Sequence, residues 1–491
     1  MPAWAKSLMN AAPMTEIIAA ASGFDAYLVG GALRNLILGL GVGKDYDVCV
    51  KNEADKFAKT LAKRLLASVF LMDEENRVWR VVGKSQGLTV DISLMRGECI
   101  EADLGKRDFT VNALAFRLKD IGKAGSRAID PFNGIKDAKG KILRLVSGIA
   151  LDEDPLRVIR AIRLSIECGL RMDDLTERLV KEKMPLLGRV PVERVREETV
   201  RIFSNRGSEG AVRRLFELDA TEFIFPELKG WKVTPRPTPL GVGAPKGGLG
   251  GVKEFSGYDI LSHSLRTLRE AEVALDEAGI IDGRPGLAQY LRDDMGGVKR
   301  ATAFKLAAFL HDAGKPSAMI SEGEELSFIG HDVSGEALVK KILRRLKFGR
   351  KVIKTLSSAA RNHHRVFVLS RLKRPSKRTK AHFFNAVGGD AGPVVLLTAL
   401  CDARATRGSE DKAVYECVSN MLDFYFDIYT KKKTKPLLSG EEVMRIFDVK
   451  EGPEIGKIMK EMDELVSSGE VRTRHRAIEI IKKGREKKAK E

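Results

Sequence analysis

The chain is poor in cysteine and in acid, and it lacks a long apolar run. Its five cysteines, at 49, 99, 168, 401 and 417, are odd in number and form no Cys-x-x-Cys pair. That excludes a disulfide frame or a zinc knuckle and predicts a reducing compartment. No stretch approaches the ~20 uninterrupted apolar residues that a bilayer demands. The start lacks a charged segment followed by sustained apolar residues, so a cytoplasmic protein with no membrane partner is expected. Acid is outnumbered: 67 Asp and Glu face 85 Lys and Arg, a net charge of +18. Such a field concentrates polyanions, and nucleic acid is the expected partner. At 491 residues the chain exceeds one core, and three or four domains are expected.

What is present begins with Val29-Gly-Gly-Ala-Leu-Arg-Asn35, followed by Asp45-Tyr-Asp47. Gly30 and Gly31 leave backbone amides bare enough to approach a phosphate. On an extended strand Asp45 and Asp47 project from one face. Two hard oxygen donors beside a phosphate-holding turn suit Mg²⁺-dependent phosphoryl or nucleotidyl transfer. Asp91, in Thr89-Val-Asp-Ile92, is a candidate third carboxylate from a neighbouring strand.

Residues 1–148 read as mixed α/β, with helical patterns at 14–22 and 53–67 and strands at 26–30, 45–50, 78–82, 88–94 and 112–117. From Asp152 to about Leu228 the pattern is helical, with Leu156, Ile159, Ile162 and Ile166 at helical spacing. Trp231 to Phe255 carries four prolines and many glycines and reads as a linker. Residues 258–430 are again helical, and 437–480 hold two amphipathic helices, the first opening on Ser439-Gly-Glu-Glu442 with capping-box spacing. The tail from Lys482, six basic residues in ten, reads as disordered.

Further motifs follow in order: Lys106-Arg-Asp-Phe-Thr-Val-Asn-Ala113, Asp130-Pro-Phe-Asn-Gly-Ile-Lys-Asp137, Glu153-Asp-Pro-Leu-Arg157 with Arg160 and Arg163, and Pro191-Val-Glu-Arg-Val-Arg-Glu-Glu198. With the first motif they resemble the class II tRNA nucleotidyltransferase and poly(A) polymerase family. Leu438-Ser-Gly440, Gly452-Pro-Glu-Ile-Gly456 and Gly469-Glu-Val471 resemble the C-terminal body of its tRNA-end-adding members. The resemblance implies an α+β fold: a mixed-sheet head (1–148), a helical neck (149–230), the linker (231–257), a domain at 258–430 and a helical tRNA-binding body with a basic tail (431–491). It implies that Asp45 and Asp47 bind catalytic Mg²⁺, with Asp91 assisting. Gly30, Gly31 and Arg34 would hold the triphosphate, and Arg107, Asp108 and Asn112 the sugar and phosphates. Asp154 and Arg157 would read the base edge of ATP or CTP, with Arg160 and Arg163 beside them. The family usually has Asp at position 35 and Arg at 106. Asn35 loses charge, and Lys106 loses the guanidinium fork.

Five of seven histidines, His263, His311, His331, His363 and His364, fall between 263 and 364. Ala308-Phe-Leu-His-Asp-Ala-Gly-Lys315 and the late Asp402 complete the pattern. Histidine and aspartate donors converging from several helices make a divalent-metal site for water activation. The segment resembles the HD phosphohydrolase superfamily. His263, His311, Asp312 and Asp402 are the expected ligands of a divalent transition metal, with His331, His363 and His364 as candidates for a second. The expected function is template-independent addition of CCA, or its terminal A, to the tRNA 3′ end. The alternatives are a poly(A) polymerase, a metal-dependent phosphohydrolase acting on RNA-end phosphates, and an RNA-binding protein with two inactive sites.

Overall fold

A computed structural model describes residues 8, 13–41, 43–75, 77–83, 87–123, 125–231, 259–276, 279–322, 325–372, 375–431, 438–471 and 473–488. Contacts divide the chain into two units, Met1–Arg194 with Arg214–Phe223, and Val195–Arg213 with Ile224–Glu491.

The first unit is built on a six-stranded sheet of order β3-β4-β5-β2-β1-β6. The strands are β1 (Ala26–Val29), β2 (Asp45–Val50), β3 (Ser68–Asp73), β4 (Val78–Val82), β5 (Thr89–Leu94) and β6 (Ala115–Arg117). Only β2 and β5 run parallel; every other neighbouring pair is antiparallel. Alternation explains the layers. Tyr46, Val48 and Val50 of β2 enter a core with Phe57 and Leu61 of the helix Ala54–Leu65, while Asp45 and Asp47 stay exposed on the other face. The pattern at 112–117 yields strand only from Ala115, because Thr110–Asn112 closes a 3₁₀ turn first. Strand β3 carries no period-two signal: Phe70, Leu71 and Met72 are all exposed on this edge strand.

Helices Arg157–Glu167 and Asp174–Lys183 follow. The first buries Val158, Ile159 and Ile162; the second is capped by Asp173, whose carboxylate accepts from the Thr176 amide at 3.1 Å.

In the second unit Ile260–Asp276, Arg300–Leu310, Arg350–Ser370 and Gly392–Arg407 pack against one another. A small hairpin, Ile320–Glu322 with Glu325–Ser327, interrupts the expected helical run. The Pro/Gly-rich linker lies outside the described residues beyond Trp231. The helices Gly440–Phe447, Pro453–Ser467 and Arg474–Lys488 have a core of their own, with Val443, Ile458, Leu465, Ala477 and Ile481 inside. The capping box forms: Ser439 Oγ accepts from the Glu442 amide at 3.2 Å and Glu442 accepts from the Ser439 amide at 2.8 Å. The tail expected to be disordered from Lys482 is helical through Lys488, because Ala477 and Ile481 anchor that helix. This body meets the helix Lys377–Val387 through Arg378–Glu470, His382–Glu464 and Asn385–Asp463, each at 2.9 Å. Among the described residues no single helix is long and apolar enough to cross a membrane.

Candidate active sites

In the first unit β1 ends at Val29, and the chain turns through Gly30 into the helix Gly31–Ile37. Gly30 has φ +74°, and a Cβ there would sit 3.0 Å from Asp47 Oδ2 and 3.2 Å from Arg107 Nη1. Glycine is therefore required both by the backbone and by the closeness of the carboxylate. Sheet register pairs Val29 with Asp47, and Asp47 with Asp91. The three predicted carboxylates thus lie on adjacent strands, Asp45 and Asp47 exposed and Asp91 half-buried. Arg80 of β4 clasps Asp91 with two hydrogen bonds of 2.7 Å, so that carboxylate is already neutralised by a cation.

Three of the predicted phosphate and sugar residues, Arg34, Asn112 and Asp108, form one chain of hydrogen bonds. Arg34 Nη1 donates to Asn112 Oδ1 at 2.7 Å, and its Nη2 donates to Asn35 Oδ1 at 2.9 Å. Asn112 Nδ2 donates to Asp108 at 3.0 Å, and Arg160 reaches the other Asp108 oxygen at 3.1 Å. Burial works against the Asp108 charge, but Arg160, Asn112 and the Phe109 amide outweigh it and hold the carboxyl below the usual range. Arg107 is fixed by Asp103 at 3.1 Å, and Arg163 by Glu167 at 2.5 Å. The Asp130 turn folds as expected: its carboxylate accepts from the Gly134 and Ile135 amides at 2.7 and 3.0 Å.

The Arg157 amide donates to Asp154 O at 3.0 Å, but among the described residues no hydrogen bond joins their side chains. Arg157 is buried and donates to Lys106 O at 2.8 Å and Ala150 O at 3.1 Å. Asp154 accepts from Arg194 at 2.9 Å. Sequence reasoning missed Arg80, Asp103 and Arg194 as partners. Arg80 had one signal, a lone guanidinium in the apolar run Val78-Trp-Arg-Val-Val82.

In the second unit all seven predicted ligands converge. His263 lies on Ile260–Asp276, His311 closes Arg300–Leu310, and His331 opens His331–Arg345. His363 and His364 lie on Arg350–Ser370, and Asp402 on Gly392–Arg407. Gly314 lets these helices meet, since a Cβ there would lie 2.1 Å from His331 O. The ligands form two groups, His263, His311 and Asp402, and Asp312, His331, His363 and His364. Asp312 stands between them: Oδ2 is 3.1 Å from His311 Nε2 and 3.4 Å from His263 Nε2, while Oδ1 is 3.6 Å from His363 Nε2 and 3.8 Å from His331 Nε2. Lys315 Nζ lies 2.7 Å from Asp312.

The donor set fits a cation. His311 Nδ1 donates to Ala308 O at 2.9 Å, His331 Nδ1 to Phe328 O at 2.7 Å, and His363 Nδ1 to Ala360 O at 3.1 Å. Each ring is thereby fixed with Nε2 turned inward, the tautomer a ligating histidine needs. The Nε2 atoms of His311 and His363 are buried without a hydrogen-bond partner. His331 and His364 bring their Nε2 atoms to 2.8 Å. Burial disfavours charge on His311, yet Asp312 and Asp402 push it up to about 10, so the pocket attracts positive charge. Burial together with His363 pushes His364 down to about 3 and keeps it neutral.

The two sites define the class of protein: a nucleotidyltransferase head carried on one chain with a histidine–aspartate cluster that could hold a metal. Residues 26–144 match the poly A polymerase head domain, 169–232 the probable RNA and SrmB-binding site of polymerase A, and 260–403 the HD domain. An A-adding tRNA nucleotidyltransferase of Deinococcus radiodurans is 29% identical, covering 93% of this chain and 95% of the relative. A CC-adding enzyme of Geobacter sulfurreducens is 26% identical over 96% and 95%. The fold is that of a CCA-adding enzyme solved with ATP (TM-score 0.59, 19% identity, 98% of each chain) and of the Thermotoga maritima enzyme solved with tRNA (0.54, 20%, 98% of each). The chain carries these three domains in that order, its relatives over nearly the whole length are tRNA nucleotidyltransferases, and it is a nucleotidyltransferase.

Proposed function

We propose that this protein adds nucleotides, CCA or its terminal A, to the 3′ end of tRNA from CTP or ATP. The single observation carrying this reading is the pair of exposed carboxylates, Asp45 and Asp47, with Asp47 against the Gly30 backbone. These two are the residues that would hold Mg²⁺. When bound, the metal lowers the pKa of the attacking hydroxyl and neutralises the departing pyrophosphate. Gly30, Gly31, Arg34 and Arg107 seat the triphosphate, while Asp108 and Asn112 meet the sugar. The RNA 3′-oxygen then attacks the α-phosphorus in line, and the bond to the bridging oxygen breaks to release pyrophosphate. No side-chain nucleophile is needed; positioning and electrostatics carry the rate. In this reading 1–148 form the head, 149–230 the neck and 431–491 the tRNA-gripping body. A reaction on free tRNA with CTP and ATP belongs in the cytoplasm.

The histidine centre supports a second activity within 258–430, hydrolysis of RNA-end phosphates, for which His263, His311, Asp312 and Asp402, with His331, His363 and His364, would hold one or two divalent transition metals that activate water. Its presence, with the C-terminal body, favours tRNA-end addition over a poly(A) polymerase.

Incubation with tRNAs lacking the last one, two or three nucleotides, with CTP and ATP supplied separately, identifies the product. Asp47→Ala is expected to lower incorporation by at least about a thousandfold with tRNA binding nearly intact. Unchanged incorporation overturns the transferase reading.

A further inference from the structure

The positive charge of this chain is not spread evenly. Between Glu336 and Asp390 stand sixteen Lys and Arg and no Asp or Glu, so this stretch alone carries nearly all of the net +18. The terminal helices are close to neutral: from Leu438 to Lys488 there are twelve basic and eleven acidic residues. A polyanion is drawn to accumulated charge of one sign, whereas interspersed signs cancel at short range.

The charge is densest where His331–Arg345 turns back into Arg350–Ser370, in Lys340-Lys-Ile-Leu-Arg-Arg-Leu-Lys-Phe-Gly-Arg-Lys-Val-Ile-Lys354. Leu343, Leu346, Phe348 and Val352 are buried, and the Phe348 amide donates to Leu343 O at 2.9 Å, which fixes the turn. Lys341, Arg344, Lys347, Arg350, Lys351 and Lys354 are exposed. Two carboxylates nearby are already spent, Glu227 on Arg345 at 2.7 and 2.9 Å and Glu336 on Lys340 at 2.6 Å. Among the described residues no carboxylate pairs with Arg344, Arg350, Lys351 or Lys354.

Local energetics run against this arrangement. Arg350 and Lys351 open Arg350–Ser370 with no acidic residue in its first turn, and Lys354 follows one turn on, although the start of a helix favours anions. Lys347 stands at φ +54°, where glycine is the ordinary choice. An external anion accounts for cations set against both preferences. None of the exposed large hydrophobic residues falls between 334 and 367, so the tip has no apolar anchor for a lipid surface. Thirteen residues along each helix separate it from the histidines, about 20 Å, so it is a different surface from that cluster.

We infer that the Lys340–Lys354 hairpin tip is a docking surface for the phosphate backbone of the tRNA. This rests on tRNA being the substrate in the proposed function.

Binding of a tRNA that lacks its 3′ CCA, titrated at several salt concentrations, tests the surface, together with steady-state incorporation into the same tRNA. Arg350→Gln, Lys351→Gln and Lys354→Gln combined are expected to weaken binding at least about tenfold at about 100 mM salt and to reduce the slope of log K against log salt by about 2–3. KM for tRNA should rise while kcat and KM for CTP and ATP are held. Taking cations away from a helix start should hold or raise the melting temperature, whereas loss of a structural contact would lower it. Lys341→Gln with Arg344→Gln, on the other helix, should weaken binding in the same direction. Lys56→Gln, Lys59→Gln and Lys63→Gln make an equal change in net charge on Ala54–Leu65, over the sheet face opposite Asp45 and Asp47, and should keep tRNA affinity within about twofold.

Equal losses in the two triple variants overturn a local grip in favour of overall charge. Loss of binding to phosphatidylserine vesicles with tRNA affinity intact overturns it in favour of a lipid. If the unsubstituted protein extends no tRNA, the proposed function falls and takes this partner with it. If it extends tRNA and the hairpin variants keep their affinity and salt slope, this surface alone falls.

Discussion

Single residues decide both sites through what surrounds them. Gly134 illustrates steric necessity: a Cβ there would lie 2.1 Å from Thr110 O, and backbone cannot step aside. Gly134→Ala should destabilise the first unit by about 3 kcal/mol, seen as a lower midpoint in denaturant titration. Asp108 illustrates electrostatic necessity. Its folded pKa is depressed, so its contribution is present above the unfolded value and is lost as pH falls through the folded one. Asp108→Asn should therefore cost about 3 kcal/mol at neutral pH, with the gap to the unsubstituted protein closing below about pH 4. A gap that stays constant across that range would show that the Arg160 pairing contributes nothing. Residues legible in the sequence, such as Gly30, Asp45 and Asp47, were so because neighbours in the chain are neighbours in space. Arg80 on Asp91 and Arg194 on Asp154 were hidden because their partners are 11 and 40 positions away.

At the scale of elements, periodicity gave positions well wherever one face is buried. The helices near 14–22 and 53–67 are Met14–Ala20 and Ala54–Leu65, and β1, β2, β4 and β5 stand close to their expected bounds. It failed at β3, whose exposed Phe70, Leu71 and Met72 leave no alternation to detect. It also failed at the C-terminal helix, where charge hid the buried Ala477 and Ile481. The histidine–aspartate cluster draws on five helices and the turn at Asp312, and the chemistry proposed for it should be separable from the head. His311→Ala is expected to reduce bound transition metal, measured by elemental analysis, and to abolish phosphodiester hydrolysis while incorporation persists. Loss of both activities would refute independent sites.

For the molecule as a whole, the charge of +18 is the property that most affects its substrate. Raising salt from about 50 to 200 mM should weaken tRNA binding on the order of a thousandfold, while KM for CTP moves far less. Equal shifts would mean that the basic surface does not grip RNA. The three polar links joining the terminal helices to Lys377–Val387 lead to a different outcome under stress. Exposed pairs of this kind are each worth no more than about 1 kcal/mol, whereas the helices behind them keep an apolar interior of their own. Warmed with a protease in brine, the chain should shed this piece as an intact fragment, detaching like a cap before the histidine-lined bundle begins to melt.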